Sequence, residues 1–345
     1  MAASRASHIW RAAGGLTCAT VASCREPTAS SAASGTTCTG ATDSSTRSNV
    51  RIPRPEEYSN KFRQLVAGGT RNLAVISDFD RTITRCFVGE KRCSSCYNIA
   101  DGALSPEIVR YKKQIFDYYF PIEKDPNRTM EEKKPYMLEW YQKSNDSLVD
   151  GGFRREWLER AVRTAQEAGT LALRPGFAEL LNTLQAHNVP VLIFSAGIAN
   201  VITEIFQQLL PSAPLAKTTQ VVGNEMTFDS DGVLRGWGPL IHMYNKNQSV
   251  VPKSQQRRNV LLLGDGLGDV TMADGAATEP ACILKVGFLN EHEDELLAQY
   301  EAQFDMVILG DQGMAEVQKI VDAVLLGAQE NEKLSKCYVH FVNDC

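Results

Sequence analysis

This sequence has no run approaching the ~20 consecutive apolar residues of a membrane-spanning helix, so it reads as a protein that does not cross a bilayer. It also lacks positive charge. Thirty-six basic residues face 41 acidic ones, a formal −5 at pH 7, where a polymeric nucleic acid would require a basic face. A disulfide framework is missing too: the nine cysteines are odd in number and irregularly spaced, which fits a reducing compartment. The close pair Cys93 and Cys96, in KRCSSCYN, has no second pair and no histidine at zinc-site spacing, so it reads as two adventitious thiols.

The first fifty residues lack lysine altogether and hold only two acids, Glu26 and Asp43, against 17 Ser or Thr and 11 Ala. Such a stretch buries too little apolar surface to fold, so residues 1–50 are expected to be a disordered extension. Four arginines and the scarcity of acids also give it the character of a mitochondrial or plastid transit peptide, and both readings stay open.

What is present from Arg51 onward is an alternation of helix and strand signals, with 43% hydrophobic and 22% charged residues overall. Strand-length apolar runs occur at Leu73–Ser77, Val189–Phe194, Asn259–Leu263, Ala281–Val286 and Met306–Leu309, as expected of strands buried on both faces of a parallel sheet. Helical signals at Glu56–Val66, Pro175–His187, Ala199–Leu210 and Met314–Leu326 fall between or after them. The fold class predicted is α/β, a parallel sheet flanked by helices, with its core in residues 51–84 and 171–326. Residues 85–170 carry only helical signals, such as Ser105–Tyr119 and Thr129–Lys143, and predict a helical cap inserted after the first strand. Residues 220–239 alternate around Asp231-Gly232 and predict a small β-hairpin insertion. The tail at 327–345 gives no reading, and no internal repeat is visible.

Three strand ends carry polar chemistry, and ligands of open α/β sheets bind at the carboxyl ends of strands. In DFDRT, Asp78 and Asp80 stand two apart, so on an extended backbone both carboxylates would face one centre. Crowded acids of this kind suit a hard cation such as magnesium, although two acids capping the next helix are the plainer alternative. A second acid cluster, Asp265 and Asp269 in GDGLGD, follows another apolar run and strengthens the metal reading. Its glycines do not make a dinucleotide site, because the interleaved acids would repel a pyrophosphate. Between the two clusters, FSAG offers Ser195 and the open amide of Ala196 either as a phosphate cradle or as an ordinary strand-to-helix turn.

Taken together, DFDRT, FSAG, GDGLGD and the lysine of MYNKN, Lys246, resemble the four motifs of the HAD (haloacid dehalogenase-like) phosphatases. More narrowly, the chain resembles the cytosolic 5′-nucleotidase III, or pyrimidine 5′-nucleotidase, family from about residue 51 to 326. KRCSSCYNI, PIEKDP, KKPYMLEWYQKS, VPVLIFSAGI, GPLIHMYNKN and ILKVGFLN carry that likeness.

The resemblance implies a HAD-like Rossmannoid core and magnesium-dependent hydrolysis of nucleoside 5′-monophosphates, with a pyrimidine or 7-methylguanine base. Asp78 would be the nucleophile and Asp80 the general acid and base. The metal would be held by Asp78, the Asp80 carbonyl oxygen and Asp265, with Thr82 and Asp269 behind them. Ser195, Ala196 and Lys246 would hold the phosphoryl oxygens, Glu123 and Ser144 would contact the nucleoside, and Tyr97 would stack on the base. A cytoplasmic monomer is expected, acting on a small nucleotide. The alternatives are a HAD phosphatase for another small phosphomonoester and an inactive binding protein of the same fold. One departure is visible: Gly266 stands where the family's fourth motif usually has serine.

Overall fold

A computed structural model of the chain describes residues 48–125, 127–211, 215–242, 245–246, 257–274 and 280–327. All but residues 48–50 of the expected extension, and all but Gly327 of the expected tail, lie outside the described residues. The elements begin with β1 (Val50–Arg51), α1 (Pro55–Gly68), β2 (Leu73–Ser77), β3 (Phe87–Val88) and β4 (Lys91–Arg92). Four helices follow: α2 (Cys96–Asp101), α3 (Pro106–Lys124), α4 (Met130–Asp150) and α5 (Trp157–Glu167). Next come α6 (Phe177–Ala186), β5 (Val191–Ile198), α7 (Ala199–Leu209), β6 (Thr219–Asn224), β7 (Met226–Phe228) and β8 (Leu234–Trp237). The chain continues through β9 (Asn259–Gly264), β10 (Cys282–Leu289), α8 (Glu293–Gln303), β11 (Met306–Leu309) and α9 (Ala315–Leu326).

The sheet runs β1-β11-β10-β9-β2-β5-β6, and every pairing is parallel except that of the short edge strand β1. β2 is central, between β9 and β5. Alternate residues enter two different cores: Val75, Ile193 and Leu261 pack on one face, Ile76, Leu192 and Leu262 on the other. This double burial is why the strands read as continuous apolar runs.

Two expectations need correction. Residues 220–224 were expected within the hairpin insertion, but they belong to β6, which pairs parallel with β5 as the edge of the main sheet, so only β7 and β8 form the ribbon. Secondly, the inserted region is not purely helical. β3 and β4 form a tight hairpin right after the first strand, turning at Gly89 with φ +59°. Strands two residues long carry no periodic signal. Helix α3 runs on through Pro121 to Lys124, beyond the Tyr119 end of its sequence signal, although Pro121 has no N–H to give to the carbonyl four residues before it.

The insertion leaves the core at the turn after β2 and returns at Arg174, which is 1% exposed. The Arg174 guanidinium donates to the Thr82 carbonyl at 2.8 Å and to Asn290 Oδ1 at 2.9 Å, and also to the carbonyls of Arg81 and Gln312. Arg81 needs this clamp, because its φ of +65° is a left-handed conformation that a non-glycine residue adopts at a cost.

Candidate active site

Asp78 follows β2 directly, and its amide donates to the Leu263 carbonyl at 3.0 Å, extending the ladder with β9. The chain then turns: the Phe79 carbonyl accepts from the amides of Thr82, Ile83 and Thr84 at 3.3, 2.9 and 3.0 Å. At this edge Asp78 and Asp80 take different hydrogen-bond partners. Asp78 Oδ1 meets Lys246 Nζ at 2.5 Å, whereas both oxygens of Asp80 accept from the Cys96 amide at 3.2 Å.

Across the sheet edge, Lys246 Nζ also donates to Asp269 Oδ1 at 2.7 Å, and Thr82 Oγ1 donates to Asp265 Oδ1 at 3.2 Å. Asp269 turns back to accept from the Gly266 amide at 2.9 Å. That contact uses backbone alone, so the glycine at 266 leaves the turn satisfied. Gly264 is required for the same packing, since a Cβ there would meet the Asp269 Cβ at 2.5 Å.

Asp78, Asp265 and Asp269 offer oxygens within 4.8 Å of one another, which among the described residues makes them the one acidic or thiol group that could hold a metal ion. Cys93 and Cys96 belong to no such group among the described residues and are free thiols. Electrostatics favour a cation at the acids. Burial pushes the Asp78 carboxyl well above its usual range, opposed by Lys246 and reinforced by Asp269 and Asp265. Burial lifts Asp265 to about 6, with Asp269 adding to it and Arg81 and Lys246 opposing. For Lys246, burial acts downward but the carboxylates of Asp269 and Asp78 outweigh it and keep the ammonium charged. One buried lysine does not neutralise these acids, and hard oxygen donors suit a divalent cation.

The last residues of β5, where its register with β6 shifts between Phe194 and Ile198, bring Ser195 to the same edge. Its Oγ accepts from the Gly197 amide at 3.0 Å, and the Ala196 carbonyl accepts from Asn224 Nδ2 at 2.7 Å. Asn224 also exchanges two 2.8 Å hydrogen bonds with the backbone of Ile241, tying this strand end to the irregular segment that delivers Lys246. Asn245 braces the same segment, accepting from the His242 amide and donating to the Leu240 carbonyl.

The cap closes over these groups. Tyr97 donates its hydroxyl to Asn145 Oδ1 at 2.9 Å, meets Tyr141 edge-on at 5.8 Å, and lies near-parallel to Trp237 at 6.5 Å. Lys112 Nζ stands 5.6 Å from the centre of the Tyr97 ring, ion-paired with Asp101 at 2.6 Å. Tyr141 has a phenol pushed up by burial and then by Glu123, with Asp80 and Asp78 adding and Lys246 opposing. Its ring also lies 6.4 Å from that of His242, on the segment that leads to Lys246. Ser144 is buried on α4, where its carbonyl accepts from Lys112 Nζ at 3.3 Å.

The sequence profile of the pyrimidine 5′-nucleotidase (UMPH-1) family matches residues 81–325. This chain belongs to that family. The nucleotidase is 39% identical over 287 residues to 7-methylguanosine phosphate-specific 5′-nucleotidase A of Xenopus laevis, covering 81% of this chain and 96% of the relative. It is 36% identical over 288 residues to the 7-methylguanosine phosphate-specific 5′-nucleotidase of Homo sapiens, covering 81% and 93%. The solved structure of cytosolic 5′-nucleotidase IIIB bound to cytidine superposes with a TM-score of 0.72 at 29% identity, covering 84% of this chain and 96% of that one. The fold is therefore HAD-like, and as a family member the protein is a phosphoric monoester hydrolase of the 5′-nucleotidase kind.

Sequence reasoning missed Cys96, Tyr141, Asn145, Trp237, Asn224 and Arg174. The two asparagines and the arginine carry no local signal, because each acts on groups far away in the chain. Tyr141 lay inside a quoted family segment and could have been found by its four-residue spacing from Met137 and Asn145 on α4, which are buried.

Proposed function

We propose that this nucleotidase hydrolyses pyrimidine or 7-methylguanine nucleoside 5′-monophosphates to nucleoside and phosphate, with Asp78 as nucleophile and magnesium as cofactor. The observation that carries this reading is the buried Asp78–Lys246–Asp269 chain, at 2.5 and 2.7 Å, beneath an aromatic cap. In the first step an Asp78 oxygen attacks phosphorus, the P–O5′ bond breaks, and Asp80 gives a proton to the departing 5′-oxygen. In the second, water attacks the aspartyl-phosphate, Asp80 takes the water's proton, and phosphate leaves with Asp78 regenerated. Lys246, the Ser195 hydroxyl and the Ala196 amide hold the phosphoryl oxygens as charge builds on them. Asp78, Asp265 and the Asp80 carbonyl oxygen, with Asp269 and Thr82 behind, would hold magnesium, which would supply the charge that lets a carboxylate approach a phosphate.

Magnesium should raise the melting temperature of the wild type, because a ligand that binds only the folded state stabilises it by mass action, by ~2.7 kcal/mol at a hundredfold excess over Kd. Asp265→Asn should abolish that shift and activity together. An unchanged shift in Asp265→Asn, measured by differential scanning fluorimetry, would remove Asp265 from the metal site.

For the base, Tyr141 provides the stacking surface and Tyr97 the wall behind it. Tyr97 already has Lys112 at its ring, so a cationic 7-methylguanine gains little there. Glu123 accepts from the amino group of cytosine or the N–H groups of guanine, and AMP is expected to be a poor substrate. Tyr141→Ala should lower kcat/KM for CMP and 7-methyl-GMP by roughly 10- to 100-fold, the ~1–3 kcal/mol of a base–aromatic stack. Tyr97→Ala should cost less. Steady-state kinetics with CMP, UMP, 7-methyl-GMP and AMP test both, and a larger loss in Tyr97→Ala would reverse the assignment.

A cytoplasmic monomer is the form proposed. The solved neighbour is named cytosolic, and among the described residues no helix is long and apolar enough to cross a membrane. The formal charge of −5 supports a small nucleotide rather than a polymer as partner.

A further inference from the structure

Cys96 opens α2, is fully buried, and gives Asp80 two donors. Its amide lies 3.2 Å from each carboxylate oxygen and its Sγ lies 3.3 Å from Oδ1. Among the described residues, no other hydrogen bond reaches that carboxylate. A carboxylate held by one shared N–H can pivot about it, whereas a second donor on one oxygen fixes the rotation.

The thiol is closely packed. On its far side lies Gly197 of β5, where any Cβ would come within 3.0 Å of Sγ and 3.1 Å of the Cys96 Cβ. The start of α2 is pinned by a capping box between Ser95 and Asn98, and by the Ser94 amide donating to the Thr170 carbonyl at 2.8 Å. Cys96 thus touches Asp80 on one side and the end of β5 carrying Ser195 on the other, and its neighbour is Tyr97.

We propose that Cys96 is a positioning residue for proton transfer: its amide and thiol together fix the Asp80 carboxylate relative to the end of β5. This rests on the reading of Asp80 as general acid and base. The thiol matters most where the leaving group needs a proton, and a nucleoside 5′-alkoxide needs one whereas p-nitrophenolate does not.

The test compares Cys96→Ala, Cys96→Ser and Asp80→Asn in single-turnover experiments with CMP and with p-nitrophenyl phosphate. Cys96→Ala is expected to slow the first step on CMP about 10-fold or more, part of the 10²–10⁴ a general acid contributes, with KM unchanged within about twofold. On p-nitrophenyl phosphate the same step should change less than about threefold. Cys96→Ser, which keeps an O–H donor, should recover most of the CMP rate. Equal losses on both substrates, or no loss, would overturn the proposal by making Cys96 a packing residue. Asp80→Asn separates the two ideas. If it shows the substrate-selective loss and Cys96→Ala does not, Cys96 alone is misassigned; if Asp80→Asn is not selective, the role of Asp80 falls with it.

Discussion

Asp78→Asn is expected to fold normally and to lose at least ~10³-fold in kcat, the scale of removing a covalent nucleophile. Its stability should stay close to that of the wild type, because two effects oppose. The substitution removes one of several acids that burial and mutual repulsion hold in an uncomfortable state, and it also removes a charge-assisted hydrogen bond to Lys246. Lys246 keeps Asp269 as a partner at 2.7 Å, so no buried ammonium is orphaned. Beryllofluoride mimics an aspartyl-phosphate, so with magnesium it should raise the melting temperature of the wild type and leave that of the variant unmoved. Retained turnover in purified Asp78→Asn would end the covalent mechanism.

Lys246→Met should be damaging in a different way. Lys246 is 3% exposed and answers two carboxylates, so its removal leaves both buried without a counter-charge. Breaking a buried pair from one side costs about 3–5 kcal/mol, and losing one donor to a developing oxyanion costs about 10²–10³ in kcat. The two losses can be separated. Magnesium answers the same carboxylates, so in excess it should restore much of the melting temperature. It should not restore turnover, because the donor to the phosphoryl oxygens is still missing. A variant rescued in both respects would show that Lys246 serves only to neutralise the acids.

How much of this was legible beforehand follows from where each residue sits. Asp78, Ser195 and Asp265 close apolar runs, and a strand buried on both faces announces its own end, so the carboxyl edge of the sheet could be read directly. Lys246 could not be read that way. It arrives on a segment held by the side chains of Asn224 and Asn245, and only the family resemblance pointed to it. What the spacing of Asp78 and Asp80 could not show is that their hydrogen-bond partners differ, Lys246 for one and the Cys96 amide for the other. Cys96 was read as an idle thiol because its partners, Asp80 and Gly197, come from two distant stretches of sequence. The cap's aromatic wall has the same character: Tyr97, Tyr141 and Trp237 come from α2, α4 and β8, and no local pattern joins them.

The central place of β2 has a consequence for how the protein is made. β2 is the first long strand to leave the ribosome, yet its neighbours on either side begin at Val191 and Asn259. The Asp78 amide finds its acceptor on Leu263, and the loop bearing Asp265 and Asp269 comes later still. Until that stretch has emerged, the strand that leads to Asp78 has an open edge, and the nascent chain carries no assembled acid cluster. Parallel pairing across such separations is slow and exposes unpaired backbone while it waits. Premature termination anywhere before β9 therefore yields a polypeptide that lacks the acid cluster and is prone to associate through that edge.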